Sequence, residues 1–215
     1  MTCTQERFER DVAKHEMTVI RDDGVNRHLM FREPGCSSYW FEIVTWAGTL
    51  CIKGDMGTYV FSRTPDMFEF FRTARDEGQG QLYINEDYWC EKLQAVSSNG
   101  YGQGSAKTFD ADAFKRHVVS EFRDYCRDRS LEHADRKDMW YWLRCDVLDS
   151  VCDGDTDASS RLGSWFLAKD HPDLFSEWWE WDCEKYKHHY VWNLYAIAWA
   201  IRQYDAAKLP VQEAA

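Results

Sequence analysis

The longest apolar run in this chain, Tyr190 to Ile201, is 12 residues and contains Asn193. A membrane-spanning helix needs roughly 20, so no membrane association is expected. Nor is there an apolar signal segment: Met1-Thr2-Cys3-Thr4-Gln5-Glu6-Arg7 carries charge within a few residues, which points to an intracellular protein. The eight cysteines at 3, 36, 51, 90, 126, 145, 152 and 183 include no C-x-x-C pair. Reduced thiols are expected, with no zinc site. No G-x-S-x-G elbow and no H-E-x-x-H is present, so no catalytic residues are assigned and no cofactor is expected. Positive charge is scarce as well. Lys and Arg number 26 against 37 Asp and Glu, a net of −11. A nucleic-acid binder shows the reverse balance, so direct contact with DNA or RNA is disfavoured.

The most legible stretch is Tyr39 to Arg72. Tyr39 to Trp46 sets Tyr39, Phe41 and Ile43 against Trp40, Val44 and Trp46, the pattern of a strand covered on both faces. Thr49 to Lys53 and Thr58 to Arg63 continue an antiparallel meander, with Gly54-Asp55-Met56-Gly57 as a tight turn. Thr64-Pro65-Asp66 reads as a helix start, with Met67, Phe70, Phe71 and Ala74 forming its apolar face. Before the meander, Met17 to Arg21 and Val25 to Arg32 flank the hairpin signal Asp22-Asp23-Gly24. Glu6 to His15 and Glu86 to Val96 read as helices.

The fold class expected is α+β: an N-terminal antiparallel sheet of about five strands with packed helices, then an all-helical C-terminal half. The expected division is residues 1–96 for the sheet and its helices, 97–109 for a flexible Ser, Gly and Asn linker, and 110–215 for a helical domain. In that half, helices are expected from Asp110, from Asp135, over Ser159 to Lys169, from His171-Pro172-Asp173 through Trp181, and over Lys185 to Ala207. The last is apolar all round, and such a helix is buried centrally. Gly100-Tyr101-Gly102-Gln103-Gly104 follows a helix instead of a strand, which argues against a phosphate loop.

Two features stand out in the helical half. Residues 131–183 hold 13 acids and 5 bases, a net of −8. Within them, Asp153, Asp155 and Asp157 alternate as in the start of a calcium loop, but Ala158 and Ser164 replace the glycine and the acid that an EF-hand requires. A solvated acidic loop is the simpler explanation. The second feature is Glu177-Trp178-Trp179-Glu180-Trp181-Asp182. Three tryptophans in four positions cannot share one helix face, and a tryptophan ringed by acids has the makeup of an interface hot spot. The competing explanation is that all three wedge between helices. Glu184 with His188 and His189 reads as a polar patch, since no third metal ligand is identifiable and Lys185 and Lys187 lie beside them.

Four phrases, FERDVAKHEMTVIRDDGVNRHLMF from Phe8, GDMGTYVFSRTPDMFEFFR from Gly54, INEDYWCEKLQAV from Ile84 and QYDAAK from Gln203, resemble a family of uncharacterised accessory proteins of tailed phages and prophages of enteric bacteria. The resemblance implies an accessory protein acting in the cytoplasm of an infected bacterium, where small motif-poor proteins often disable a host defence. The expected function is a non-catalytic, acidic inhibitor of a host nucleic-acid-handling defence complex, an anti-CRISPR or similar, with nucleic-acid mimicry toward a basic groove. Asp153, Asp155, Asp157, Glu177, Trp178, Trp179, Glu180, Trp181 and Asp182 are its expected partner-binding residues. The alternatives are a metal-assisted nucleotide hydrolase with Asp153, Asp155 and Asp157 as ligands, and a self-assembling structural or regulatory protein. A homodimer is left open.

Overall fold

A computed structural model describes residues 3–72, 80–100, 104–168 and 174–209, with the backbone alone at 166–168. In chain order the elements are α1 (Gln5–Val12), β1 (Glu16–Asp23), β2 (Asn26–Arg32), β3 (Phe41–Trp46), β4 (Thr49–Gly54), β5 (Gly57–Ser62), α2 (Met67–Phe71), α3 (Glu86–Cys90) and β6 (Leu93–Val96). There follow β7 (Lys107–Phe109), α4 (Ala111–Asp128), α5 (His133–Leu143), α6 (Ala158–Ala168), β8 (Glu184–Tyr186) and α7 (His188–Lys208). They divide into two compact units, Met1–Ala106 with Tyr186–Ala215, and Lys107–Lys185. The fold class is α+β, with a helical C-terminal half.

In the first unit β1 to β6 form one antiparallel sheet in sequential order. Alternation sends Leu29, Phe31, Phe41, Ile43, Leu50, Ile52, Tyr59 and Phe61 to one fully buried face. The opposite face is not closed to the same degree. Val44, Cys51 and Val60 are half-buried there, and Trp46 is 45% exposed. The two-sided cover expected of β3 is thus complete on one face and partial on the other, where Glu42 is buried and Trp46 is not. On the buried face Trp192 of α7 meets Phe8 and Phe41 edge-on at 5.1 and 5.7 Å, and Trp199 meets Phe31 at 5.5 Å. Such pairs add specificity to the burial of large apolar rings.

Polar groups fix how α7 sits. Asn193 is 1% exposed and donates to the Met56 carbonyl at 2.9 Å, while Trp192 Nε1 donates to Asp11 at 3.0 Å. Near the C-terminal end, Tyr204 donates to Asp22 at 2.7 Å and accepts from Arg27 Nε at 3.4 Å. Arg27 also holds Asp66 through two bonds of 2.9 and 2.8 Å. Asp66 caps α2 in turn, accepting from Phe68 N at 2.9 Å. Burial opposes charge on this carboxyl, yet the Arg27 hydrogen bonds, the Phe68 N–H and the charges of Arg27 and Arg72 together outweigh it and hold the group below its usual range.

Three sequence expectations change. Glu86 to Val96 is not one helix, because the chain turns after Cys90 and Leu93–Val96 becomes the sixth strand. Pairing with β5 decides this: Tyr59 faces Val96 and Phe61 faces Leu93, and Ser62 N and Ser97 N donate to Lys92 O and Thr58 O, both at 3.0 Å. The helical domain of 110–215 loses its last helix, since α7 packs on the sheet and belongs to the first unit. The linker assigned to 97–109 ends in a strand, β7, which pairs with β8. Residues 101–103 of that linker and 73–77 at the end of the expected second helix lie outside the described residues.

In the second unit, α4, α5 and α6 close around Phe114, Val118, Phe122, Leu143, Leu162 and Phe175. The end of α5 widens into a π-helical turn, Arg144–Leu148. The helix expected through Trp181 is absent over the described residues from Leu174. Phe175 has a φ of +64°, which an α-helix cannot accommodate, and only a 3-10 turn, Trp178–Glu180, follows. All eight cysteines are free thiols. Among the described residues, no helix is long and apolar enough to cross a membrane.

Two stability predictions arise. A Cβ on Gly54 would collide with the Trp40 carbonyl oxygen and lie 2.7 Å from the Phe41 Cα. Backbone cannot yield as a flexible side chain can, so Gly54→Ala should cost roughly 3 kcal/mol, read as a lower urea midpoint. The second prediction concerns pH. His188 and His189 open α7, and burial pushes both below the ordinary histidine value of 6.5, with Arg7 adding to burial at His188 and Asp55 partly opposing it at His189. The unfolded chain therefore binds more protons than the folded one as pH falls below about 6.5, so their stabilising contribution is complete above that pH and is lost on acidification. Thermal midpoints should fall between pH 7.5 and 5.5, and His188→Gln with His189→Gln should flatten that slope.

Candidate interaction surface

The second unit carries 12 Lys and Arg against 19 Asp and Glu over residues 107–185, a net of −7. Its acidic residues do not all face water as bare charge. Lys185 Nζ binds Asp153 Oδ1 at 2.6 Å and Asp110 Oδ1 at 3.3 Å. Asp153 also accepts from Ala111 N at 3.2 Å. This lysine lowers the Asp153 carboxyl below its ordinary range. Asp155 is held the same way by Arg161 in the first turn of α6, and accepts from Asp157 N at 2.9 Å. Asp153 and Asp157 are both exposed, and among the described residues Asp157 is the one of the three that makes no ion pair.

This arrangement corrects two expectations. Asp153 and Asp155 pair with cations of their own chain and brace the loop between α5 and α6, so neither is the bare charge expected, although Asp153 stays exposed. They also fail as a ligand set for a hydrolase. Each turns to a different cation, and among the described residues no three His, Cys, Asp or Glu come together to hold a metal ion. Glu184 lies on β8, where it pairs with Lys107 at 3.7 Å.

The three tryptophans of the hexapeptide separate by environment. Trp178 lies over α6, where a Cβ on Gly163 would meet its ring at 3.4 Å. Trp181 stacks on His117 at 5.2 Å and donates Nε1 to Glu121 at 2.9 Å. Trp179 is 64% exposed, the most exposed tryptophan among the described residues. Glu177, Glu180 and Asp182 beside it are exposed too. Of the nine residues expected to bind a partner, five face solvent together in sequence or as bare charge: Asp157, Glu177, Trp179, Glu180 and Asp182. The other four serve the fold.

Sequence reasoning missed a second exposed aromatic pair. Tyr141 and Trp142 on α5 meet edge-on at 5.2 Å, 52% and 49% exposed. Their signal was available in Trp140-Tyr141-Trp142, another aromatic run too dense for one helix face. Comparison with known proteins adds no relative: no protein-family model, curated protein or solved structure matches the chain.

The separation of roles among the tryptophans can be measured. Trp179→Ala should move the unfolding free energy by less than about 0.5 kcal/mol. Trp181→Ala, which removes a packed ring and strands Glu121, should cost about 3 kcal/mol. Urea titration followed by circular dichroism reads both.

Proposed function

We propose that this chain is a non-catalytic binding protein that seats Trp179 and its flanking acids in the basic groove of a host protein that handles nucleic acid, and so blocks it. The observation that carries the reading is Trp179 itself, a largely bare indole between exposed Glu177 and Glu180. Buried tryptophans with charged neighbours are the residues that dominate binding energy at interfaces. The net charge of −7 on the unit that bears it supports fast, salt-sensitive association with a positive surface. The resemblance of the Phe8, Gly54, Ile84 and Gln203 phrases to phage accessory proteins supplies the context: the cytoplasm of an infected enteric bacterium, with a defence nuclease such as a CRISPR effector as target. The partner face is narrower than the acidic segment as a whole, because Asp153 and Asp155 are already paired within the chain.

The test is phage plating on bacteria that carry a panel of DNA-targeting defence systems and express the chain. Wild type should restore plating against at least one system. Trp179→Ala combined with Glu177→Lys and Glu180→Lys should remove the protection while circular dichroism stays unchanged. Loss of a hot-spot tryptophan alone corresponds to a fall in affinity of roughly 30-fold. Protection by the triple variant equal to wild type, or no protection against any system by wild type, would sink the proposal.

A further inference from the structure

The outward side of α4 gathers positive charge on this acidic unit. Phe114, Val118, Phe122 and Cys126 face the core. The other side forms a groove of about 440 Å³ lined by Asp112, Lys115, Arg116, Val119, Ser120 and Arg123. Lys115, Val119 and Arg123 follow one another at i, i+4 and i+8, so they share a stripe that rises about 12 Å along the helix. Elsewhere in the unit Arg127, Arg144, Arg161 and Lys185 are each engaged by aspartates. Among the described residues Lys115, Arg116 and Arg123 make no ion pair. Three cations that make no ion pair, against the single carboxylate of Asp112, lie within a Debye length or so of one another around the apolar Val119, and this excess of positive charge calls for an occupant that is both anionic and apolar.

The same unit displays such a segment. We infer that the α4 groove of one copy receives the Glu177–Asp182 segment of a second copy. In this contact the Trp179 indole lies over Val119 with Arg116 or Arg123 against its face, a cation–π arrangement, and Glu177 and Glu180 meet the remaining cations. A groove of this volume falls in the range that accepts a compact ligand group. The two surfaces are different sets of residues on one unit, so the contact is head-to-tail: a joined pair leaves a free tryptophan on one copy and a free groove on the other. The inference rests on the reading of Trp179 as a binding group, and it adds regulation to that reading, because a tryptophan held by a second copy is withheld from the host partner.

Sedimentation velocity over a concentration series tests it. Wild type should show a sedimentation coefficient that rises with concentration. Trp179→Ala, which keeps the groove, and Arg116→Glu with Arg123→Glu, which keeps the tryptophan, should each stay monomeric. Mixed in equal amounts, they should form a one-to-one heterodimer, since each supplies the part the other lacks. Ser120→Trp, which fills the groove without changing charge, should behave as the second variant does and stands in for it if the double substitution unfolds. Wild type that remains monomeric to millimolar concentration overturns the inference, as does a variant that self-associates like wild type or a mixture that forms no heterodimer. A groove that instead binds a short DNA or RNA oligonucleotide, lost in Arg116→Glu with Arg123→Glu, also overturns it by assigning the cations to phosphate. The groove variant retains Trp179 and should still protect phage. Protection without self-association in wild type therefore defeats this inference alone, whereas a heterodimer without any protection defeats only the proposed host target.

Discussion

The structure depends on the burial of α7 against one face of the six-stranded sheet. From Tyr190 to Ile201 this helix has almost no side to give to water, so its only stable place is under a wide apolar surface, and the meander provides one. Apolar contact is non-directional, however, and would tolerate several positions of a greasy cylinder on a greasy sheet. Direction comes from the few polar groups inside and around the contact. Asn193 finds the Met56 carbonyl, Trp192 finds Asp11, and Tyr204 joins Asp22 to the Arg27 guanidinium. At the rim Arg72 grips Asp205 through bonds of 2.7 and 2.8 Å, and Arg202 donates to the carbonyls of Gly80 and Gln81. Each bond is modest alone; together they select one register, because any slide leaves several buried donors unpaired.

The meander was legible because local and tertiary demands agree there. Alternating β-branched and aromatic residues fit a pleated half-buried surface, and glycines sit where the backbone makes close turns. Gly54 could be read as a turn residue, but its closeness to the Trp40 carbonyl could not. The sixth strand was missed for a physical reason: Trp89, Leu93 and Val96 fit helical spacing, and only the open edge of β5 decides against it. The place of α7 was read correctly as buried but assigned to the wrong company, since an all-round apolar helix says that it must be covered and not by what. Phe175 gave no sign of its left-handed backbone, a conformation imposed by surroundings that sequence does not list.

The candidate site was legible in part, and the boundary follows sequence distance. Arg161 lies six residues from Asp155, close enough for the pair to be anticipated. Lys185 reaches Asp153 across 32 residues, and nothing local announces it. Net charge alone therefore overstated how much of the acidic segment faces outward. Among the described residues, charge in this unit is sorted: several aspartates pair with cations of their own chain, the glutamates around Trp179 do not, and one side of α4 holds three cations outside any ion pair. Such sorting gives a protein of one overall sign two surfaces of opposite local sign.

The division of the chain has a consequence for how it is made. The sheet is complete at Val96, yet the helix that covers it begins at His188, after a unit of about 80 residues. From Val96 to His188 is about 90 residues, so a ribosome adding roughly 5–20 residues per second needs about 5 to 18 seconds to cross that interval. Throughout it the newborn sheet holds Phe31, Phe41, Ile43, Leu50 and Ile52 without their final cover. The nascent chain is thus a ready client for holding chaperones until its last helix leaves the exit tunnel.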